Sequence, residues 1–195
     1  MLELLMMCAP AVDPVTMAAI VKQESGGRPW VINNNSTKKS SFFDSMAEAV
    51  AAARAAIDNG ESIDMGLAQI NSKNLKNLGL TVEQVFDPCT NIAAGAKILA
   101  YGFKETGSLP AALSMYNTGK ANSKIGDQYA QKVYGQAGVV VPGIPNGQIP
   151  NLPHLKLETT SNGKLPPVVL KVTPSPYLAG LVSQSGNYSW NQSWK

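Results

Sequence analysis

The stretch PVTMAAIVKQESGG, residues 14–27, decides how the N-terminal part of this chain folds. Asp13 precedes it as a helix N-cap, and Pro14 takes the first helical position, where proline removes no needed hydrogen bond. The two glycines at 26–27 form a stop signal, because glycine readily adopts the left-handed conformation that ends many helices. The stretch therefore predicts a helix over residues 14–25.

The apolar face of this helix ends in a carboxyl group. Met17, Ile20 and Val21 form a stripe at helical spacing, and the i+7 position from Met17 is Glu24. Burial disfavours the charged form of a carboxyl group and raises its pKa, which is what a general acid at neutral pH requires. The position also fits an ordinary last-turn glutamate that points to solvent, so the helix alone leaves both interpretations open.

The rest of residues 1–137 is also mostly helical in pattern. Ser45 and Glu48 form a capping-box signal ahead of an alanine-rich run. Further helices are predicted where apolar residues recur at helical spacing: at 91–106, from Pro110 onward, and at about 123–136. Two turn-flanked segments, WVINNN at 30–35 and SIDMGLAQIN at 62–71, lack a helical period and predict a small hairpin or lobe. We therefore expect a mainly α fold.

Composition divides the chain near residue 138. The full sequence has 195 residues and a formal net charge of +3, but residues 1–137 hold 12 basic and 12 acidic side chains. Residues 138–195 hold eight of the 13 prolines, four lysines and one glutamate. We therefore predict a folded domain over 1–137 and an extended Pro-rich linker or tail over 138–195, disordered or partner-binding. In the second case, the run VVLKV at 168–172 could add to a partner's sheet edge.

The sequence argues against several classes of protein. The balanced charge of residues 1–137 lacks the basic face of a nucleic-acid-binding domain. The early apolar stretch at 4–12 is broken by Pro10, whereas a membrane-spanning helix needs roughly 20 apolar residues. No export signal is readable in the first residues, where Glu3 is the only charge.

Histidine and cysteine usage narrows the chemistry further. His154 is the single histidine and lies in the tail, so a His/Cys zinc site or a histidine-based triad in the main domain is excluded, and no cofactor is predicted. The remaining catalytic candidates are carboxyl groups. Cys8 and Cys89 fit either buried thiols in a cytosolic protein or a disulfide in an oxidising compartment, and their spacing does not decide between these.

Four motifs occur in a characteristic order: ESGG at 24–27, GLAQIN at 66–71, NIAAG at 91–95 and ALSMYNTG at 112–119. Together they resemble the goose-type-lysozyme-like family of soluble lytic transglycosylases, over roughly residues 8–134. The long insert between the first two motifs resembles the branch that accompanies type IV secretion systems. Ala68 departs from the family pattern, which commonly has methionine there. The resemblance implies an α+β lysozyme-like fold and cleavage of peptidoglycan.

The resemblance implies a single catalytic acid/base, Glu24. It would protonate the glycosidic oxygen between N-acetylmuramic acid and N-acetylglucosamine, then deprotonate the muramic C6 hydroxyl, which closes a 1,6-anhydro ring without water or a second carboxylate. The resemblance also implies that the Tyr116 hydroxyl holds this glutamate, whereas a tyrosine on the apolar stripe of its helix is, on its own, usually a core residue. The resemblance further implies that Asn117 and Gln69 bind sugar N-acetyl or hydroxyl groups. Ser25 would bind substrate or support the acid, with helix termination as a nearly equal alternative.

Asp64 is the candidate for a second carboxylate. If it faced Glu24 across roughly 6.5–9.5 Å, a water-using inverting lysozyme would become possible. The alternative is a turn aspartate that bonds nearby backbone amides.

The resemblance also has implications for the cysteines, the location and the partners. A wall-cleaving enzyme works in the periplasm of the bacterial cell envelope, where disulfides persist, so a Cys8–Cys89 bridge is implied. The implied partners are peptidoglycan glycan strands and, through residues 138–195, components of a type IV secretion or conjugation apparatus. Two alternatives remain: a hydrolytic muramidase, and a catalytically weak lysozyme-like scaffold that recruits secretion components.

Overall fold

The computed structural model describes residues 2–137. The helices are α1 (Leu2–Cys8), α2 (Pro14–Ser25), α3 (Met46–Asp58), α4 (Leu75–Leu78), α5 (Val82–Phe86), α6 (Pro88–Thr106), α7 (Leu109–Thr118) and α8 (Lys124–Gln136). The strands are β1 (Val31–Asn34), β2 (Lys39–Phe42), β3 (Ile63–Met65) and β4 (Ile70–Asn71). This arrangement confirms the predicted α+β fold with a small lobe. The predictions for 138–195, including the strand at 168–172, lie outside the described residues.

Helix α2 has the predicted bounds because local side-chain chemistry fixes both of its ends. The Asp13 carboxylate accepts hydrogen bonds from the amides of Val15, at 2.9 Å, and Thr16, at 3.1 Å. At the other end Gly26 adopts the left-handed conformation, with φ +65°, and its amide donates to the Lys22 carbonyl. Glu24 therefore lies in the last turn of a well-capped helix.

The other predicted helices are present, with one boundary that differs. Ser45 caps α3 by accepting a hydrogen bond from the Glu48 amide. Helix α6 begins three residues earlier than predicted, because Asp87 caps it by accepting from the Thr90 amide at 2.8 Å, and Pro88 occupies its first position. Among residues 2–137, no helix combines the length and apolar character that a membrane span requires.

The four strands form one antiparallel sheet in the order β2-β1-β3-β4. Strands β1 and β3 come from the two segments predicted to form a hairpin or lobe, and they pair with Ile32 opposite Met65. Strand β2 was not predicted, because all four of its residues are exposed and it shows no alternation of apolar and polar side chains. The tight turn between β3 and β4 carries the GLAQ motif.

Three short helices were missed at the sequence level. Helix α1 packs against α2 and α6 and buries Leu5 completely, although its sequence was considered only as an export signal or membrane span. Helices α4 and α5 contain four and five residues, too few for a helical period to be recognised.

Helix α6 is the central element of the helical part. It packs against α1, α2, α5 and α7 and also touches β4. Gly95 lets it approach the site: a Cβ atom there would lie 2.7 Å from the Ala68 Cβ and 2.9 Å from the Tyr116 hydroxyl oxygen. Because Gly95 has no side chain, the GLAQ turn and the Tyr116 hydroxyl of α7 can both lie close to α6 at this point.

Cys8 and Cys89 are joined by a disulfide across 81 residues of sequence, with their Cα atoms 5.2 Å apart. Cys8 ends α1, and Cys89 lies in the first turn of α6 rather than in a preceding loop. The bridge therefore fixes the N-terminal helix to the central one.

Candidate active site

A cleft of about 620 Å³ is lined by both the helices and the sheet lobe. Five of the predicted site residues line it: Glu24, Asp64, Gln69, Tyr116 and Asn117. They come from α2, from β3 and the turn after it, and from α7. Their convergence from segments far apart in sequence marks the cleft as the candidate active site.

Glu24 combines a partly buried position with one strong hydrogen-bond donor. Its Oε1 accepts a hydrogen bond from the Tyr129 hydroxyl at 2.5 Å. Burial raises the pKa of Glu24 to about 7, opposed by the bond from Tyr129 and reinforced by the negative charge of Asp64. Glu24 therefore exchanges a proton near neutral pH, as an acid/base catalyst must.

The tyrosine that holds Glu24 differs from the one the sequence indicated. Tyr129 of α8 donates to the carboxyl group, whereas the Tyr116 hydroxyl donates to the Ala68 carbonyl at 2.7 Å. The reason is packing: α8 lies directly against α2, while Tyr116 reaches the GLAQ turn. The two rings are parallel neighbours, with centroids 6.3 Å apart. Burial and then the Glu24 charge raise the pKa of both phenols, so both retain their protons as donors.

Tyr129 could have been found from the pattern of its own helix. It lies on the buried stripe of α8, which is formed by Gly126, Tyr129, Ala130 and Val133. Tyr116 also lies on an apolar stripe of its helix, but the family resemblance is what indicated its role. The sequence could not show which of the two tyrosines reaches Glu24.

Ser25 takes part in the helix end. It is buried, its Oγ donates to the Val21 carbonyl at 3.0 Å, and the same oxygen accepts from the Gly27 amide at 3.2 Å. Ser25 is not among the residues that line the cleft. This geometry favours the helix-terminating role over direct contact with a ligand.

Gln69 is the most constrained polar residue of the cleft. It is 9% exposed and adopts a left-handed backbone conformation, with φ +50°, which is uncommon for a residue other than glycine. Its Nε2 donates to the Gly66 carbonyl at 2.7 Å and to the Val31 carbonyl at 3.5 Å. Within residues 2–137 its Oε1 is buried without a hydrogen-bond partner, which is unusual because buried polar atoms are normally paired.

Asp64 lines the same cleft from the sheet lobe. Its carboxylate accepts hydrogen bonds from the Asn35 side-chain amide at 2.7 Å and from that of Asn71 at 2.6 Å. Asp64 lies in β3 and accepts hydrogen bonds from side chains. The interpretation as a turn aspartate that bonds backbone amides is therefore wrong. Burial raises its pKa, and the two amide bonds oppose that rise.

Asn91 supports the site from behind, a role the sequence did not reveal. It is 1% exposed, its Oδ1 accepts from the Ala68 amide at 2.7 Å, and its Nδ2 donates to the carbonyls of Met65, at 2.9 Å, and Val85, at 2.7 Å. These bonds attach the GLAQ turn to α6. Within the described part of the chain, no three His, Cys, Asp or Glu side chains are grouped as metal ligands.

Comparison with known proteins agrees with this geometry. A family model described as the transglycosylase SLT domain matches residues 4–136. The chain is 38% identical over 157 residues to the type IV secretion system protein virB1 of Brucella abortus, covering 73% of this chain and 66% of that protein. It is 34% identical over 142 residues to protein virB1 of Agrobacterium fabrum, covering 69% and 58%.

A more distant relative is the invasion protein IagB of Salmonella typhimurium, 30% identical over 129 residues, with 63% of this chain and 66% of that protein covered. The chain thus spans about three-fifths to two-thirds of the length of these relatives. No solved structure matches it significantly. The family match covers most of the described residues and includes all four motifs, so this chain belongs to the transglycosylase SLT domain family.

Proposed function

We propose that this chain is a peptidoglycan lytic transglycosylase, which cleaves the β-1,4 bond between N-acetylmuramic acid and N-acetylglucosamine and leaves a 1,6-anhydro end. The observation that carries the proposal is Glu24: a cleft carboxyl group with its pKa raised to about 7 and one phenolic donor on its Oε1. Membership of the transglycosylase SLT domain family supports the same activity.

The proposed reaction uses Glu24 twice. As an acid it gives its proton to the glycosidic oxygen, the bond from that oxygen to muramic C1 breaks, and N-acetylglucosamine leaves with a free hydroxyl. The muramic O6 then bonds to C1, and the Glu24 carboxylate takes the O6 proton, which restores the acid. Burial favours the neutral form and the Tyr129 bond favours the charged form, so neither state is strongly disfavoured.

The neighbouring residues have supporting roles in this proposal. Gln69, which lines the cleft, would bind a sugar N-acetyl or hydroxyl group, and the exposed Asn117 would offer a second polar contact. Ser25 would hold the end of α2 and thereby the direction of Glu24. Tyr116 would hold the GLAQ turn through Ala68.

A second candidate is a hydrolytic muramidase, and Asp64 is the observation that favours it. Its carboxyl group lies in the same cleft and is close enough for its charge to raise the pKa of Glu24. In this alternative Asp64 would activate a water molecule for attack on muramic C1. The product then has an ordinary reducing end instead of an anhydro ring.

Product analysis separates these candidates. Purified sacculi are digested, the fragments are treated with borohydride, and their masses are measured. Anhydro ends resist reduction, whereas hydrolytic ends gain two hydrogen atoms. Anhydro products support the transglycosylase, reducible products support the muramidase, and no turnover by folded protein supports a catalytically weak scaffold.

We further propose that this activity opens the cell wall locally, in the periplasm, during assembly of a type IV secretion or conjugation apparatus. The support is the similarity to proteins named virB1, one of them named as a type IV secretion system protein. Residues 138–195 would contact components of that apparatus. A chain ending at residue 137 should then cleave sacculi in vitro but restore transfer poorly in a strain that lacks the full protein.

A further inference from the structure

Three lysines lie on the cleft of a domain whose overall charge is balanced. Lys38 comes from the β1–β2 turn, Lys73 from the short 3-10 helix at Ser72–Asn74, and Lys120 from the loop after α7. All three are exposed, whereas the two carboxyl groups of the cleft, on Glu24 and Asp64, are partly buried and bonded to neighbouring side chains. The accessible rim of the cleft is therefore cationic.

The backbones of these three lysines take part in hydrogen bonds of the fold, whereas within residues 2–137 their ammonium groups form no ion pair or side-chain hydrogen bond. The Lys38 amide donates to the Asn34 carbonyl at 2.8 Å, and the Lys120 carbonyl accepts from the Ser114 hydroxyl at 2.7 Å. The ion pair between Arg54 and Glu83 lies away from the cleft, since neither residue lines it. Because hydrogen bonds fix the backbones of these lysines while their ammonium groups stay exposed, the three side chains can bind a ligand that carries negative charge.

The negative charge of the proposed substrate lies on the arm attached to muramic acid and not on the sugar rings. The sugars offer hydroxyl and N-acetyl groups, which are neutral, so the carboxylates lie on the lactyl-peptide arm of muramic acid. They belong to the peptide where one is attached, because the lactyl carboxyl group is then an amide, and to the lactyl group where the peptide is absent. Resting on the proposed function, we infer that Lys38, Lys73 and Lys120 bind carboxylates of this lactyl-peptide arm and thereby favour charged strands over neutral glycan. The lysines belong to both the lobe and the helical part, so they act on strands that occupy the whole cleft.

Each lysine is expected to increase the preference for charged strands only modestly, but the three together should give a measurable preference. One exposed ion pair changes an equilibrium by roughly 1.4- to 5-fold, so three together should give about a tenfold preference. Because exposed charges are screened by salt, the preference should shrink as ionic strength rises from about 0.01 to 1 M.

The experiment compares two forms of the same substrate. Soluble peptidoglycan strands are used either native or after their carboxylates are capped with methylamine by a carbodiimide, which removes the charge and leaves the glycosidic bonds intact. The full-length protein is compared with a rim variant, K38Q/K73Q/K120Q. A matched control, K22Q/K104Q/K132Q, removes the same charge from exposed positions outside the cleft.

The measured quantity is the ratio of kcat/KM on native strands to kcat/KM on capped strands. We expect a ratio of about ten for the wild type and the control, and a ratio near one for the rim variant. Strands stripped of peptide by an amidase, which frees the lactyl carboxylate from its amide bond to the peptide, are compared with the same strands capped by methylamine. A preference for the uncapped form shows that a lactyl carboxylate is sufficient, and its loss assigns the preference on native strands to the peptide carboxylates. A wild-type ratio near one, or a rim variant that keeps its preference, overturns the inference.

Binding separates this inference from the proposed function. Co-sedimentation of the Glu24→Gln protein with native and capped sacculi reports recognition without turnover. If the wild type fails to cleave either substrate, the proposed function fails, and the rim inference is still judged by the binding ratio. Equal binding to native and capped sacculi overturns it whatever the activity.

Discussion

The two carboxyl groups of the cleft differ in the number of hydrogen bonds that they accept. Glu24, on the helical side, receives one hydrogen bond, from the Tyr129 hydroxyl. Asp64, on the lobe side, receives two, from the amides of Asn35 and Asn71. Burial raises the pKa of both, but each added donor favours the ionised form. The comparison teaches that the position of a carboxyl group in a cleft does not by itself decide its chemistry. The number of hydrogen-bond donors around it also matters: few donors suit a group that gives up a proton, and more donors suit a group that stays ionised as an acceptor.

The largest expected effect follows from removing the proton of Glu24. Glu24→Gln keeps the shape of the side chain but cannot transfer a proton, so cleavage should fall by about 10²–10⁴-fold. Release of soluble fragments from sacculi measures the rate, and circular dichroism checks the fold. Turnover within a few-fold of wild type would show that Glu24 is not the acid.

The same substitution should change how stability depends on pH. An unperturbed glutamate ionises near 4.5, but Glu24 keeps its proton in the folded state up to about 7. The folded state therefore binds more protons between these values, and the free energy of unfolding falls as pH rises through that window, by up to about 3 kcal/mol. Glu24→Gln removes this loss, so its stability relative to wild type should be higher at pH 8 than at pH 4.

Chemical denaturation at the two pH values measures this difference. Glu105→Gln, at an exposed position on α6, is the matched control and should follow the wild type. Parallel pH dependence in wild type and Glu24→Gln would contradict the raised pKa of Glu24.

The two tyrosines give a smaller and more selective effect. Tyr129→Phe removes a bond that lowers the pKa of Glu24, so the alkaline limb of the pH–rate profile should move upward by about one unit. Tyr116→Phe should leave that limb in place, because its hydroxyl bonds the Ala68 carbonyl. Equal shifts in both variants would contradict the assignment of Tyr129, and not Tyr116, as the tyrosine that sets the pKa of Glu24.

The smallest effect is expected at the second carboxyl group. If the nucleophile is the muramic C6 hydroxyl, Asp64→Asn should keep activity within a few-fold of wild type and still yield anhydro products. A loss as large as that of Glu24→Gln, in a folded protein, would instead favour the hydrolytic candidate.

Elements whose ends are set by neighbouring residues were predictable from the sequence. Asp13 and Pro14 act within the first turn of α2 and Gly26 within its last turn, and together they define α2 correctly. Strand β2 was not predictable, because an edge strand with every side chain exposed leaves no periodic pattern. Helix α1 was missed for another reason: its buried face is recognised only once α6 lies beside it.

The candidate site divides in the same way. The stripe of α2 made Glu24 a candidate but left a solvent-facing glutamate open as well, and the resemblance carried by the ESGG motif favoured the catalytic role of Glu24. Its partner Tyr129 is 105 residues away, and two tyrosines shared the same local signal. Only the packing of α8 on α2 selects between them, and this contact has no local signature.

The bridge between Cys8 and Cys89 makes the stability of this domain depend on its surroundings. Closing a loop of this length contributes roughly 4–5 kcal/mol on the chain-entropy model, against about 5–15 kcal/mol for a whole domain. In a thiol-reducing compartment the chain lacks that constraint, and in an oxidising one it gains it. This domain thus reaches its full stability only where its two cysteines are oxidised.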